Sequence, residues 1–163
     1  MIETRLAKIA MVGGLALFAL LVCCNNLIDY GSNFAFVQHV LSMDTTFPGN
    51  GLRGRAITDP TLHHIGYWVI ILGEGLTGLL FALATVMLVR ALRAPASDFH
   101  RAKRLAMLGA ALGFTIWFTG FMVIGGEWFA MWQSPTWNGQ RAAAIFLLLV
   151  GVALLHLCGG EEE

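Results

Sequence analysis

Hydrophobic positions in this chain fall into four long runs separated by short polar stretches. The runs cover about 6–28, 62–92, 105–128 and 141–158. About 20 apolar residues at 1.5 Å rise per residue cross the hydrocarbon core of a bilayer. The runs lack the period-2 alternation of barrel strands, and lipid admits only helices or closed barrels. Each run is therefore read as a transmembrane helix. The punctuation agrees. Asp59-Pro60 is an N-cap followed by proline at the first helical position. Pro95 ends the second helix, and Ser97 is placed to cap the third. Ser134-Pro135 repeats the cap-then-proline pattern ahead of the fourth. The pattern predicts helices over about 6–29, 60–92, 103–128 and 137–158, with an outer loop over 31–59. Within that loop, residues 34–41 predict a short helix on the membrane surface, and Pro48-Gly49 and Asn50-Gly51 mark turns.

Composition sharpens this reading. Of 163 residues, 57% are hydrophobic and 12% charged, against about 25% charged in ordinary soluble domains. One core of this size cannot hide so much apolar surface from water. The expected fold class is all-α: an integral membrane four-helix bundle with a folded outer (periplasmic) loop cap, residues 1–163 forming one domain. The first run follows Arg5 and Lys8 but is too long for a cleaved signal and lacks a small-residue cleavage site. Formal net charge is zero, so no basic footprint for nucleic acid exists. Cys23, Cys24 and Cys158 form no CxxC motif, and no metal or cofactor is expected.

Lys and Arg set the orientation. Arg5, Lys8, Arg90, Arg93, Arg101, Lys103 and Arg104 lie on one side, and Arg53, Arg55 and Arg141 on the other. Seven against three places both termini in the cytoplasm. The acidic tail, 161–163, carries little weight in this rule.

Polar residues collect at the outer end. An outer-cap cluster is expected from Asn25, Asn26, Asp29, His39, Asp44, Arg53, Arg55, Glu127, Gln133 and Asn138. Asn25, Asp29 and Asn33 share a face if the first helix continues that far. Glu127, Gln133 and Asn138 are expected to pair with Arg53, Arg55 or that face. Trp128, Trp132 and Trp137 read as interface anchors, because an indole is apolar with one polar tip. Phe114, Trp117, Phe118 and Phe121 form a ridge at α-helical spacing, read as packing or lipid-facing. Glu74 stands apart. It lies roughly 17 Å into the second helix, where an acidic residue costs about 2.5–3.5 kcal/mol. His63 and Tyr67 share its face, so Glu74, Tyr67 and His63 are the candidates for a ligand or proton path, against a purely structural hydrogen-bonded Glu. A haem would need His63 or His64 to meet His39, since His156 lies at the opposite end.

Asn25, Asn26 and Asp29 are followed by FVQHVLSMD (36–44), Tyr67-Trp68 before Glu74, GGEWFAMWQS (125–134) and Trp137 to Gln140 as WNGQ. In these strings the chain resembles a bacterial family of predicted small integral membrane proteins, the domain of unknown function family 2165. The resemblance implies four transmembrane helices in the bacterial inner membrane and carries over no activity. The expected function is a non-catalytic accessory or interaction component of a larger membrane complex. The alternative is a transporter or channel component with Glu74 as its intramembrane ionisable site. Expected partners are membrane lipid and other membrane proteins or a second copy. No catalytic constellation is read.

Overall fold

The computed structural model describes residues 2–159; the acidic tail 161–163 lies outside them. The described residues form helices joined by turns and loops, with no strand. In chain order they form α1 (Ile2–Ile28), α2 (Tyr30–Ser42), α3 (Pro60–Arg90), α4 (Ala96–Ala102), α5 (Arg104–Phe114), a π-helical segment (Thr115–Trp128) and α6 (Gln140–Cys158). Four spans are long and apolar enough to cross a bilayer: α1, α3, Ala96–Trp128 and α6, with mean hydropathies of 2.3, 2.0, 1.8 and 2.2. The result is a helical membrane bundle. One end carries α2 and the following loop, the cap end; the other carries the α3–α4 connection, the basic end.

Local chemistry explains most boundaries. Asp59 caps α3 by accepting from the Thr61 N–H at 2.7 Å, with Pro60 at the first position. α2 extends further than the 34–41 expectation and packs across the start of α3. It ends at Met43, whose left-handed backbone (φ 52°) lets its N–H reach Val40 O. Pro48-Gly49 makes a turn closed by Asn50 N–H to Phe47 O, with Gly49 at φ +77°; only glycine takes that conformation freely.

Two helix starts differ from expectation. The third span begins at Ala96, and Ser97 sits inside its first turn instead of capping it. Phe99, fully buried, packs this short α4 into the core, and Arg5 lies over its ring at 4.7 Å. The fourth helix begins at Gln140. The Ser134 hydroxyl accepts from Trp137 N–H at 2.9 Å and Thr136 N–H at 3.4 Å, so Ser134-Pro135 builds a self-contained turn. Asn138 Oδ1 then accepts from Gln140 N–H at 3.1 Å where α6 starts.

Small residues set the helix spacing. Val12, Leu15, Ala16, Phe81, Ala84, Leu88, Ala106, Ala110, Phe146, Val150 and Ala153 make the main core, weighted toward the basic end. At the cap end a separate cluster joins Val40, Met43, Phe129, Ala130 and Met131. Between membrane helices there is little hydrophobic driving force, so close packing of small residues does the holding. The closest approach to another helix's backbone is at Gly78: a Cβ there would stand 2.9 Å from Leu20 N and 2.8 Å from Leu20 Cγ.

The first prediction concerns that approach. Gly78→Val should lower stability in mixed micelles by about 1–3 kcal/mol, the cost of overpacking. A variant as resistant to denaturing detergent as the parent would mean that α1 is free to back away. A second concerns the α3 cap. Hydrogen bonds from Thr61 hold the Asp59 carboxyl below its ordinary value. A depressed folded value means that the cap contributes fully above the ordinary value of about 4 and is lost as pH falls below it. Thr61 amide protection, followed by hydrogen exchange, should fall in that acid range; in Asp59→Asn the fall should be absent.

Candidate functional site

Glu74 stands near the middle of the 31-residue α3 and is 3% exposed. A carboxyl group at such a depth needs a partner inside the protein. α1 supplies it: Asn26 Nδ2 donates to Glu74 Oε2 at 2.7 Å. Asn26, itself buried, accepts in turn from Asn33 Nδ2 at 2.6 Å through its Oδ1. Its backbone carbonyl accepts from the Tyr67 hydroxyl at 3.2 Å. Asn33 is exposed. The hydrogen-bonded series Asn33–Asn26–Glu74 therefore runs from the bundle's surface to its middle. Among the described residues, Glu74 Oε1 takes no hydrogen bond and no ion pair reaches Glu74.

The fold makes this series by breaking α1. The helix stops at Ile28, Asp29 takes a non-helical backbone, and α2 starts at Tyr30. The expected shared face of Asn25, Asp29 and Asn33 is thus not formed. Asn33 turns back onto Asn26, while Asn25 stays exposed and Asp29 accepts from the Ser32 hydroxyl at 2.8 Å.

A cavity of about 230 Å³ adjoins the series, lined by Asn26, Asn33, Tyr67 and Glu74 together with Phe18, Phe36, Trp117, Phe121, Ala142, Ala143 and Phe146, among others. A second cleft of about 250 Å³, apolar, lies beside it, and the two share Phe36, Val37, Ile70 and Phe121. The aromatic ridge expected on the third helix is split. Phe114 and Phe118 stack at 4.9 Å and are exposed. Trp117 is buried, and it lines the cavity with Phe121. The cause is the π-helical hydrogen bonding of Thr115–Trp128, where Phe129 N–H still bonds the fifth residue back, Ile124 O, at 3.0 Å. The wider turn places residues four apart over one another and breaks the 3.6-residue register.

The remaining candidates separate. His63 is buried on the same face of α3 as Tyr67 and Glu74, but its Nε2 bonds Ile57 O at 2.7 Å. A carbonyl only accepts, so the proton sits on Nε2, and His63 ties down the loop without lining the cavity. His64 meets the Tyr30 hydroxyl at 2.8 Å and stacks on Phe34 at 4.0 Å. His39 meets Asp44 at 2.7 Å and stacks on Trp137 at 4.6 Å. The three histidines go to three different places.

The charge pairing expected of Glu127 is not formed. Glu127 is exposed and has no partner among the described residues. Arg55 instead lies over the Trp128 ring at 4.5 Å and donates to Trp128 O at 3.2 Å, and Arg53 is exposed. Gln133 Oε1 accepts from Phe47 N–H at 3.2 Å, and Asn138 serves the start of α6. The cap is closed by side-chain hydrogen bonds, ring contacts and the His39–Asp44 contact rather than by arginine–carboxylate pairs. Of the three tryptophans, Trp128 and Trp132 are exposed, while Trp137 is half-buried against His39 and Phe36.

Four apolar spans around a buried polar series define a small integral membrane protein. The chain belongs to the family described as predicted small integral membrane protein (DUF2165), whose sequence profile matches residues 4–159. No curated protein and no solved structure matches it.

The Asn26–Glu74 bond gives a third prediction. Asn26→Leu strands both the carboxyl and Asn33, and should cost about 1–3 kcal/mol. In a double-mutant cycle with Glu74→Leu, measured by unfolding in mixed micelles, the two sites should couple by about 0.5–3 kcal/mol. Additive losses would dissolve the pair.

Proposed function

We propose that this small integral membrane protein is a transporter or channel component and that Glu74 is its intramembrane ionisable site. The chain works as one unit in a bacterial inner membrane, multi-pass, with both termini cytoplasmic. The observation that carries this reading is the free Oε1 of Glu74: a carboxyl 3% exposed, bonded through one oxygen only, beside a cavity and joined by Asn26 and Asn33 to the surface. Oε1 is not one of the side-chain atoms sealed away without a partner, so this oxygen stays open to what enters the cavity. Tyr67 supports the site by holding the Asn26 backbone.

The accessory reading, with lipid and other membrane proteins or a second copy as partners, draws on a different observation. Of the most apolar stretch of each span, only 22–33% is buried within the chain. The broad apolar flanks suit contact with lipid or with a neighbouring helix.

The two readings part in reconstitution. In liposomes under an imposed proton or monovalent-cation gradient, the purified chain should pass an ion flux, and Glu74→Gln should return it to the protein-free leak. Equal flux from the variant would remove Glu74 from the path. No flux from either, together with co-purification in a larger complex after mild detergent extraction, would favour the accessory role.

A further inference from the structure

We infer that the cavity beside Glu74 takes the head group of a single-chain amphiphilic cation, a quaternary ammonium or amine on an alkyl tail, with the tail leaving sideways into lipid. This rests on the reading of Glu74 as a working intramembrane site and names what that site would hold.

Charge comes first. Glu74 presents an oxygen without a hydrogen bond beside the cavity, and none of the residues lining it is basic. Beyond the Asn26 bond, a cation compensates the charge of a buried carboxylate, whereas a guest with neither charge nor donor leaves the second oxygen unpaired and an anion repels it. The aromatic lining comes second. Trp117 stacks on Phe146 at 3.7 Å and Phe146 on Phe18 at 5.2 Å, while Phe36 and Phe121 pair at 6.0 Å. All five rings line the cavity. An aromatic lining around one carboxylate suits an alkylated ammonium, which is large, weakly hydrated and attracted to aromatic rings. The way out comes third. Phe18 and Ala142 line the cavity and are also exposed on the outside of the bundle. That opening lies between α1 and α6, on a flank formed by membrane spans. A hydrophilic ion would arrive from water; an amphiphile arrives through this side, head inward.

A free amphiphile and a choline-headed phospholipid present the same head chemistry. The test uses the full-length chain in maltoside micelles and radiolabelled octyltrimethylammonium, read by scintillation proximity. Saturable binding is expected, displaced by unlabelled cation and not by octyl sulfate or the neutral octyldimethylphosphine oxide. Displacement by lysophosphatidylcholine as well would assign the head to a phospholipid; its failure to displace would assign it to a free amphiphile. Either result keeps the cation. Glu74→Gln and Trp117→Leu should each weaken binding by roughly tenfold or more. Equal displacement by the neutral or the anionic analogue would overturn the inference, as would unsaturable binding. The head-group series needs only the parent chain, so it decides even where a variant fails to fold. Cation binding without Glu74-dependent flux would keep the ligand and sink the transport reading; flux without cation binding would do the reverse.

Discussion

A carboxyl group at mid-membrane has no water to turn to, and the bundle is arranged around that constraint. Glu74 must find its donor on another helix, and Asn26 is that donor. To deliver it, α1 must lie close against α3. Glycines make this approach available: Gly78 lets α3 come up to the α1 backbone at Leu20, and Gly75 faces Cys23, whose sulfur would stand 3.0 Å from an added Cβ. The depth of one polar side chain thus explains where the small residues of the facing helix are needed. The break at Asp29 completes the arrangement, because a straight α1 would carry the chain away from Asn26 instead of returning Asn33 to it.

The third span contributes the opposite effect. Where α1 and α3 close up, the π-helical segment opens out, with a wider turn and Trp117 directed into the interior. π-helical turns cost hydrogen-bond quality and recur at functional sites. Here the segment forms one wall of the cavity while the α-helical Arg104–Phe114 below it packs tightly, Gly109 against Phe81 and Gly113 against Thr77. One continuous span therefore does two jobs in series: core at the basic end, cavity wall toward the cap end.

How much of this was legible in the sequence depended on the range of the interaction. The four spans were legible because hydrocarbon thickness imposes a length. Asp59-Pro60 was legible because its cap bonds a residue two positions on. Glu74 was legible as an oddity because its cost is local to its depth. Its partner was not. Asn25 and Asn26 are adjacent and alike, and only the rotation of α1 against α3 decides which is buried. Ser134-Pro135 misled because a cap signature and an isolated turn use the same serine hydroxyl, and the downstream Asn138 decides between them. The ridge from Phe114 to Phe121 misled because a 3.6-residue period was assumed where the backbone follows a wider one. Glu127 misled because opposite charges at one membrane face need not meet when rings and backbone carbonyls satisfy the arginine first.

The basic end shows the same limit from another side. Arg5 and Lys8 enter the orientation count as charges that face lipid head groups. In the fold both are buried: Arg5 donates to Leu92 O at 2.9 Å and Ala94 O at 2.7 Å, and Lys8 donates to Gly159 O at 2.9 Å. Carbonyls just past a helix C-terminus lack intrahelical donors and lie near its negative end, so Arg5 fastens the turn that follows α3 and Lys8 fastens the C-cap of α6. Lys103 is buried too, and setting all three aside narrows the count from seven against three to four against three. The bundle thus has polar fastenings at both ends: cations on carbonyls at the basic end, side-chain hydrogen bonds and stacked rings at the cap. Between them the packing is left incomplete, at the depth of Glu74. A bundle fastened at its ends can hold a cavity open in its middle without losing register, and that is the mechanical condition for a guest to enter from the side.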